Sequence, residues 1–274
     1  MEYIENLRID RFYYQRLGCK LRVMGKMLIG KTEVSTGQYG EFITNFLRLS
    51  VDTSSSYVCV VNVHMVMEAY GDESFCAIVN NAEITTPDGM PIAKSMKILY
   101  GIEQDRVAGM DIMPDLMKEC EKSRKSIFLY GSTDEVLDKI VARAGKEYPN
   151  LKIDRYSPPF RVLSLPEKDE IVSMINEKKP DFVFVALGCP KQEKWMAEHK
   201  DRVQSCMIGL GGAFEVYAGF VPRAPRWMQE YSLEWFYRLV NDPKRLWKRY
   251  LVTNTNFIVM LIKQIIELKV LKKQ

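Results

Sequence analysis

The carboxylate best placed for chemistry in this sequence is Asp88, within the segment TTPDGMP over residues 85–91. A Pro-Asp-Gly run is typical of a tight turn, and the spacing alone favours that interpretation. The alternative is a carboxylate held rigidly before a helix over Ile92–Leu99, where it accepts a proton from an attacking hydroxyl group. His64 is a second candidate for this base, although an ordinary histidine at a helix start explains it equally well.

Five predicted strands are each followed by a turn or polar segment, and these begin at Asn62, Gly131, Arg161, Gly188 and Gly211. Ligands of an open parallel sheet bind beyond the carboxyl ends of its strands. Free N–H groups at the helix starts that follow are suited to a phosphate. A single glycine in such a place commonly just makes a turn, but five segments together favour a phosphate-bearing ligand.

Gln192 follows Pro190 at the start of a predicted helix, next to Lys191. Its amide is a candidate for hydrogen bonds to a sugar or a phosphate, and a surface position on the helix is the alternative. His199 lies in the charged run EHKD, so we expect it on a solvated face.

Common nucleotide and metal motifs are absent from the sequence. Neither G-x-G-x-x-G nor GxxxxGK[ST] occurs, which disfavours a dehydrogenase and argues against a P-loop enzyme. Asp111 and Asp115 are too far apart to form a D-x-D pair, and the scattered cysteines and two histidines show no zinc spacing. We therefore expect no metal and no cofactor.

Strand-like apolar runs alternate with helix-like segments along the chain. The predicted strands are Tyr57–Val61, Ser126–Tyr130, Leu151–Tyr156, Asp181–Leu187 and Ser205–Leu210. The predicted helices between them include Asp134–Tyr148, Pro166–Lys178 and Lys191–Lys200, and a short β pair followed by a helix is expected over Leu21–Leu47. This alternation predicts an α/β fold with a Rossmann-like parallel sheet covered on both faces.

The composition fits a folded protein of 274 residues, with 47% hydrophobic and 27% charged residues. A net charge of +4 is too mild to indicate a nucleic-acid partner. Dispersed cysteines and the absence of a signal-peptide pattern favour the cytoplasm. We predict an N-terminal extension over residues 1–20, a compact α/β unit over 21–241 and a tail over 242–274.

The tail combines basic residues with an apolar repeat. Lys244, Arg245, Lys248 and Arg249 surround Trp247 and Tyr250, and apolar residues follow at positions 258, 261, 262, 265 and 266. This spacing predicts an amphipathic helix with one apolar face. That face packs either on the protein itself or a second subunit, or on a membrane surface, where basic and aromatic residues favour the headgroup layer.

Several segments occur together in the order and spacing of one known family. They are VVNVHMV, NNAEITTPDGMPI, DRVAGMDIMPDLM, FLYGSTDEV, PDFVFVALGCPKQEKWM and GLGGAFEVYAGFVPRAPRWMQEYSLEWFYRLVNDPKRLWKRYL. Over roughly Leu21 to Leu251 the sequence resembles the WecG/TagA/CpsF family of bacterial glycosyltransferases, typified by N-acetylmannosaminyltransferases.

The resemblance implies an enzyme of cell-surface polysaccharide or teichoic acid synthesis that moves a sugar, with inversion, from a UDP donor to a sugar on undecaprenyl diphosphate. It also implies peripheral binding to the inner face of the cell membrane. The expected donor is UDP-N-acetylmannosamine, with another UDP-hexose or a UDP-uronic acid as the alternative. A nicotinamide-dependent oxidoreductase is the alternative of another class, and a homo-oligomer stays open.

The resemblance also assigns roles to individual residues. The family's general base matches Asp88, and substrate-binding positions match Asn62, Arg106 and Gln192. Basic residues that meet the diphosphate match Arg238, Arg245 and Arg249. Two positions depart from the pattern: Val60 replaces a frequent Thr, and His64 replaces a different polar residue.

Overall fold

A computed structural model of the protein describes residues 24–52, 54–225, 227–228, 233–241 and 243–271. The predicted N-terminal extension, residues 1–20, lies outside these ranges.

Six parallel strands form the central sheet, which confirms the predicted parallel sheet and adds one strand to the five that the sequence predicts. The strands of the chain are β1 Lys26–Ile29, β2 Thr32–Ser35, β3 Ser56–Val61, β4 Ile84–Pro87, β5 Ser126–Gly131, β6 Lys152–Tyr156, β7 Phe182–Ala186 and β8 Cys206–Gly209. β1 and β2 pair as an antiparallel hairpin, and the others form the sheet in the order β4-β3-β8-β7-β5-β6. All carboxyl ends of the sheet strands therefore lie at one edge.

Helices connect the strands and cover both faces of the sheet. They are α1 Tyr39–Asp52, α2 Val63–Gly71, α3 Glu73–Asn80, α4 Met90–Tyr100, α5 Gly109–Lys122, α6 Asp134–Glu147, α7 Leu165–Lys178, α8 Lys191–His199, α9 Ala213–Tyr217, α10 Glu234–Asn241 and α11 Pro243–Leu271. Alternate residues of each strand enter separate cores. Tyr57 and Cys59 pack with α2, α3 and α8, whereas Val58 and Val60 pack with α1 and α5.

β4 is the strand that the sequence analysis missed, because its residues Thr85, Thr86 and Pro87 resemble the start of a turn. The strand pairs with β3 in parallel, with Val61 opposite Pro87, and forms an edge of the sheet. An edge position tolerates a proline, since one side of the strand needs no ladder hydrogen bonds. Val107 N–H donates to the Pro87 carbonyl at 3.0 Å, so a loop covers this edge. Asp88 therefore directly follows a strand.

The C-terminal helix α11 confirms the predicted helical tail but divides its apolar residues between two faces. Phe257 and Met260 are buried against the core, and Leu261 and Ile265 pack beside them. The Gln264 side chain accepts from Gly30 N–H at 2.9 Å and donates to the Leu28 carbonyl at 3.0 Å. The helix is thus attached to the β1–β2 hairpin.

The opposite face of α11 carries the exposed residues Ile258, Ile262 and Ile266, of which 55%, 51% and 56% are accessible. The predicted apolar stripe is therefore only partly covered by the protein. Positions 258, 262 and 266 lie one turn apart on the outer face, whereas 261 and 265 turn inward.

Gly131 joins β5 to β7 through a contact that excludes a side chain. Its φ is +104°, and a Cβ atom added there would lie 2.5 Å from the Ala186 carbonyl oxygen. Both the conformation and the space therefore require glycine.

We predict that Gly131→Ala lowers the free energy of unfolding by about 3 kcal/mol or more, since it adds backbone strain and a clash with β7. Gly145→Ala in α6 is the matched control, because an added Cβ there meets nothing within 4 Å. It should stabilise the protein by about 0.5–1 kcal/mol. Urea unfolding measures both, and equal midpoints for the two variants would contradict this account of Gly131.

Candidate functional site

Asn62 and Asp88 follow the paired strands β3 and β4 and lie next to each other at the carboxyl edge. The Asp88 N–H donates to the Val61 carbonyl at 2.8 Å, which fixes the loop against β3. Asn62 caps α2, because its Oδ1 accepts from Met65 N–H at 3.1 Å. Both side chains are half-buried. The structure therefore brings an aspartate with a fixed backbone and an amide to the same place.

Gly188 and Gly211 are brought to the same edge by the pairing of β7 with β8. The N–H groups of Leu210 and Gly211 both donate to the Val185 carbonyl, at 2.9 and 3.1 Å. Gly188 is exposed with φ +78°, and its carbonyl accepts from Gln192 N–H at 2.9 Å as α8 begins.

Gln192 lies against the backbone that ends β8. A Cβ atom added at Gly209 would lie 2.9 Å from the Gln192 Nε2, and one added at Gly211 would lie 3.1 Å from the Gln192 Oε1. Only 4% of the residue is exposed, so the alternative of a surface position is wrong. The first turn of α8 faces the sheet, which places the amide at the strand ends.

Gly131 has a packing reason to be glycine, as its contact with Ala186 shows, and its role in ligand binding stays a prediction. Arg161 lies in the exposed loop after β6, where its Nη1 donates to Glu167 at 2.9 Å. His64 lies in the first turn of α2, with Nδ1 3.8 Å from Glu68 Oε1.

His199 is fully buried, so the prediction of a solvated face was wrong. It stacks on Trp195, and its Nδ1 lies 2.7 Å from the Trp195 carbonyl oxygen. Burial lowers the pKa of this histidine. The last turn of α8 packs into the core although its neighbouring residues in the sequence are charged.

Arg106 lies in a network of partly buried ion pairs at the site's border. Its Nη2 donates to Asp111 at 2.7 Å and its Nη1 donates to Glu234 at 2.7 Å. Arg223 also pairs with Asp111. Glu234 belongs to α10, so this network ties the C-terminal helices to the loop that precedes α5.

The sequence analysis missed Arg223 and Glu234. Arg106 and Glu234 are 128 positions apart, and no local pattern could have paired them. Of the predicted diphosphate-binding residues, Arg238 belongs to α10, one helical turn after Glu234, while Arg245 and Arg249 belong to α11. The pair between Arg106 and Glu234 brings α10 to the site's border, and the roles of these three arginines stay predictions.

The described ranges contain no group of three or more His, Cys, Asp or Glu side chains that could hold a metal ion.

The family described as Glycosyl transferase WecG/TagA/CpsF family matches residues 27–270. The chain belongs to this family. It is a glycosyltransferase, and the nicotinamide-dependent alternative is not favoured.

Curated relatives of this glycosyltransferase share about three quarters of their length with it. The similar region is 36% identical over 195 residues to a protein of Bacillus subtilis (strain 168), covering 71% of this chain and 74% of the relative. A protein of Bacillus spizizenii (strain ATCC 23059 / NRRL B-14472 / W23) is 31% identical over 197 residues, covering 72% and 75%. A protein of Staphylococcus aureus (strain MW2) is 29% identical over 195 residues, covering 71% and 75%. All three are named N-acetylglucosaminyldiphosphoundecaprenol N-acetyl-beta-D-mannosaminyltransferase.

We predict that Asp88→Asn leaves the fold and UDP binding intact but lowers turnover about 100-fold or more, because the amide cannot accept the proton. Acceptor-dependent UDP release measures turnover, and calorimetry measures UDP binding. The matched control is Asp138→Asn, on the exposed surface of α6. Near-normal turnover of Asp88→Asn would exclude Asp88 as the base and leave His64 as the next candidate.

We predict that Glu234→Gln loosens the C-terminal helices, since it removes the charge that pairs with Arg106. Amide hydrogens of α10 should exchange on the order of tenfold faster, while those of β3 and β8 should not change. Glu177→Gln, at an exposed position of α7, is the control. Unchanged exchange in α10 would show that the pair does not hold this helix.

Proposed function

We propose that this glycosyltransferase transfers N-acetylmannosamine from UDP-N-acetylmannosamine to the N-acetylglucosamine of a GlcNAc-diphosphoundecaprenol acceptor. The names of the curated relatives support this choice of sugar and acceptor. The observation that carries the proposal is the position of Asp88. It follows β4 directly and is fixed to β3 by its own N–H. It adjoins Asn62 at the edge where Gly211 follows β8 and Gln192 lies in the first turn of α8.

Asp88 acts as the general base of a single displacement. A hydroxyl oxygen of the acceptor sugar attacks the anomeric carbon as its proton moves to the Asp88 carboxylate. The bond between that carbon and the UDP oxygen breaks, and UDP leaves with both bonding electrons. One displacement inverts the anomeric configuration, and a positioned base typically contributes about 10²–10⁴-fold to such a step.

The leaving diphosphate gains negative charge, which backbone N–H groups and arginines stabilise. The turn at Gly188 supplies N–H groups, whereas the Gly211 N–H already donates to the Val185 carbonyl, and Arg106 lies at the site's border. The proposed reaction therefore needs no divalent metal ion.

We predict that UDP binds with the same affinity in excess chelator as in buffer, since protein groups neutralise the diphosphate. Calorimetric titration with and without EDTA checks this directly. A requirement for Mg²⁺ or Mn²⁺ in binding would contradict metal independence, without affecting the assignment of Asp88.

A panel of UDP-sugars tests the proposed donor and acceptor. UDP-N-acetylmannosamine, UDP-N-acetylglucosamine, UDP-glucose and UDP-glucuronic acid are each supplied with a GlcNAc-diphosphate lipid, and UDP release is measured. The proposal expects rapid release with the first donor alone, and only with the acceptor present. A preference for another donor would keep the reaction type and overturn the sugar.

The lipid-linked acceptor implies that the enzyme works at a membrane, and the outer face of α11 is the proposed docking surface. Residues Leu251–Val270 are long and apolar enough to cross a membrane by length and composition, and 11% of that segment is buried. The inner face of α11, with Phe257 and Met260, packs against the protein core. A helix attached along one side to a folded domain favours binding in the plane of the interface. We place the enzyme on the cytoplasmic face.

We predict that the triple variant Ile258→Ser, Ile262→Ser, Ile266→Ser is released from anionic vesicles, because it removes apolar area from the docking face only. The matched control changes three other exposed apolar residues, Phe160, Val162 and Leu165, to serine. Vesicle sedimentation compares the two. Equal binding of both variants would contradict docking through α11, and a change of oligomeric state in the first would indicate a subunit interface.

A further inference from the structure

Glu193 is a buried carboxyl group at the site that the proposed reaction does not use. It is the third residue of α8, directly after Gln192, and 0% of it is exposed. Both carboxyl oxygens are buried, and neither meets a partner at normal hydrogen-bond geometry among the described residues. Buried polar groups are nearly always partnered, so this one needs an explanation.

The surroundings of Glu193 are uncharged. Its neighbours are the Gln192 amide, its own backbone N–H and the Cys189 thiol, while the Cys59 thiol faces it from β3. In the part of the chain that the structure describes, no lysine or arginine forms an ion pair with it. Burial raises the pKa of Glu193 above its ordinary value of 4.5, and contacts with the Gln192 amide, its own backbone N–H and the Cys189 thiol, which favour the charged form, offset this in part. Burial therefore shifts the equilibrium of this carboxyl group towards its neutral form.

The side chain of Gln192 has an acceptor atom that also lacks a hydrogen-bond partner. Its Oε1 is buried without a hydrogen-bond partner, and its amide lies against the backbone of Gly209 and Gly211. An ionised carboxylate accepts hydrogen bonds only, so it cannot bond to Oε1, whereas a neutral carboxyl group has an O–H donor for that atom. A hydrogen bond to Oε1 would orient the Nε2 donor of Gln192 independently of the ligand.

We propose that Glu193 is a positioning residue: as a neutral acid, it donates a hydrogen bond to Gln192 Oε1 and holds the Gln192 amide so that Nε2 meets the sugar nucleotide. This inference rests on the proposed function for the identity of the ligand. The protonation of Glu193 and the pairing with Gln192 concern the protein alone.

Two substitutions separate this role from packing. Glu193→Met keeps the volume and removes the donor, so the donor-sugar KM should rise at least about tenfold while kcat changes less. Glu193→Gln keeps a neutral donor and should restore most of the lost affinity. The wild-type KM should also rise at alkaline pH, as the raised pKa of Glu193 is passed, and Glu193→Gln should lack that rise.

Infrared difference spectra of wild type against Glu193→Gln test the protonation without any substrate. A protonated carboxyl band at neutral pH in the wild type supports the proposal, and its absence overturns it. Loss of affinity in Glu193→Gln equal to that in Glu193→Met, or identical pH profiles for wild type and Glu193→Gln, would also overturn it.

If Glu193→Met does not fold, the comparison of wild type with Glu193→Gln decides alone. Absence of transfer by the wild type with every UDP-sugar would refute the proposed function, while the infrared band would still report on Glu193.

Discussion

Parallel pairing of β3 with β4 on one side and with β8 on the other is the interaction on which the site depends. It carries Asp88 and Asn62 to the same edge as the backbone turn at Gly211, although these residues are far apart in the sequence. Continuation of the pairing to β7 adds the start of α8 and therefore Gln192. The chemistry of the site is thus a consequence of strand order, since no single loop contains it.

The C-terminal helices are attached to this core by contacts of two kinds. Charge holds α10, through the pair between Arg106 and Glu234, and apolar packing holds α11, through Phe257 and Met260. These attachments fix which face of α11 points away from the protein. The membrane docking proposed for α11 uses the face that these attachments leave pointing outward.

The sheet was predictable because its strands are continuous apolar runs, such as those ending at Tyr130 and Leu187, separated by amphipathic helices. Local composition misled at β4, where a Thr-Thr-Pro sequence forms an edge strand, and at His199, whose charged neighbours conceal a buried side chain. Which apolar residues of α11 are buried depends on where the β1–β2 hairpin lies, and the periodicity of the sequence does not predict that position. Ion pairs between distant residues, such as Arg106 and Glu234, leave no local signal at all.

The position of bound UDP in a crystal structure of the complex tests the central claim most directly. The account predicts the diphosphate at the carboxyl ends of β7 and β8, in contact with the Gln192 amide and the backbone near Gly188 and Gly211, with Asp88 left open toward the acceptor. UDP bound at the opposite edge of the sheet, or placed so that it covers Asp88, would contradict the account.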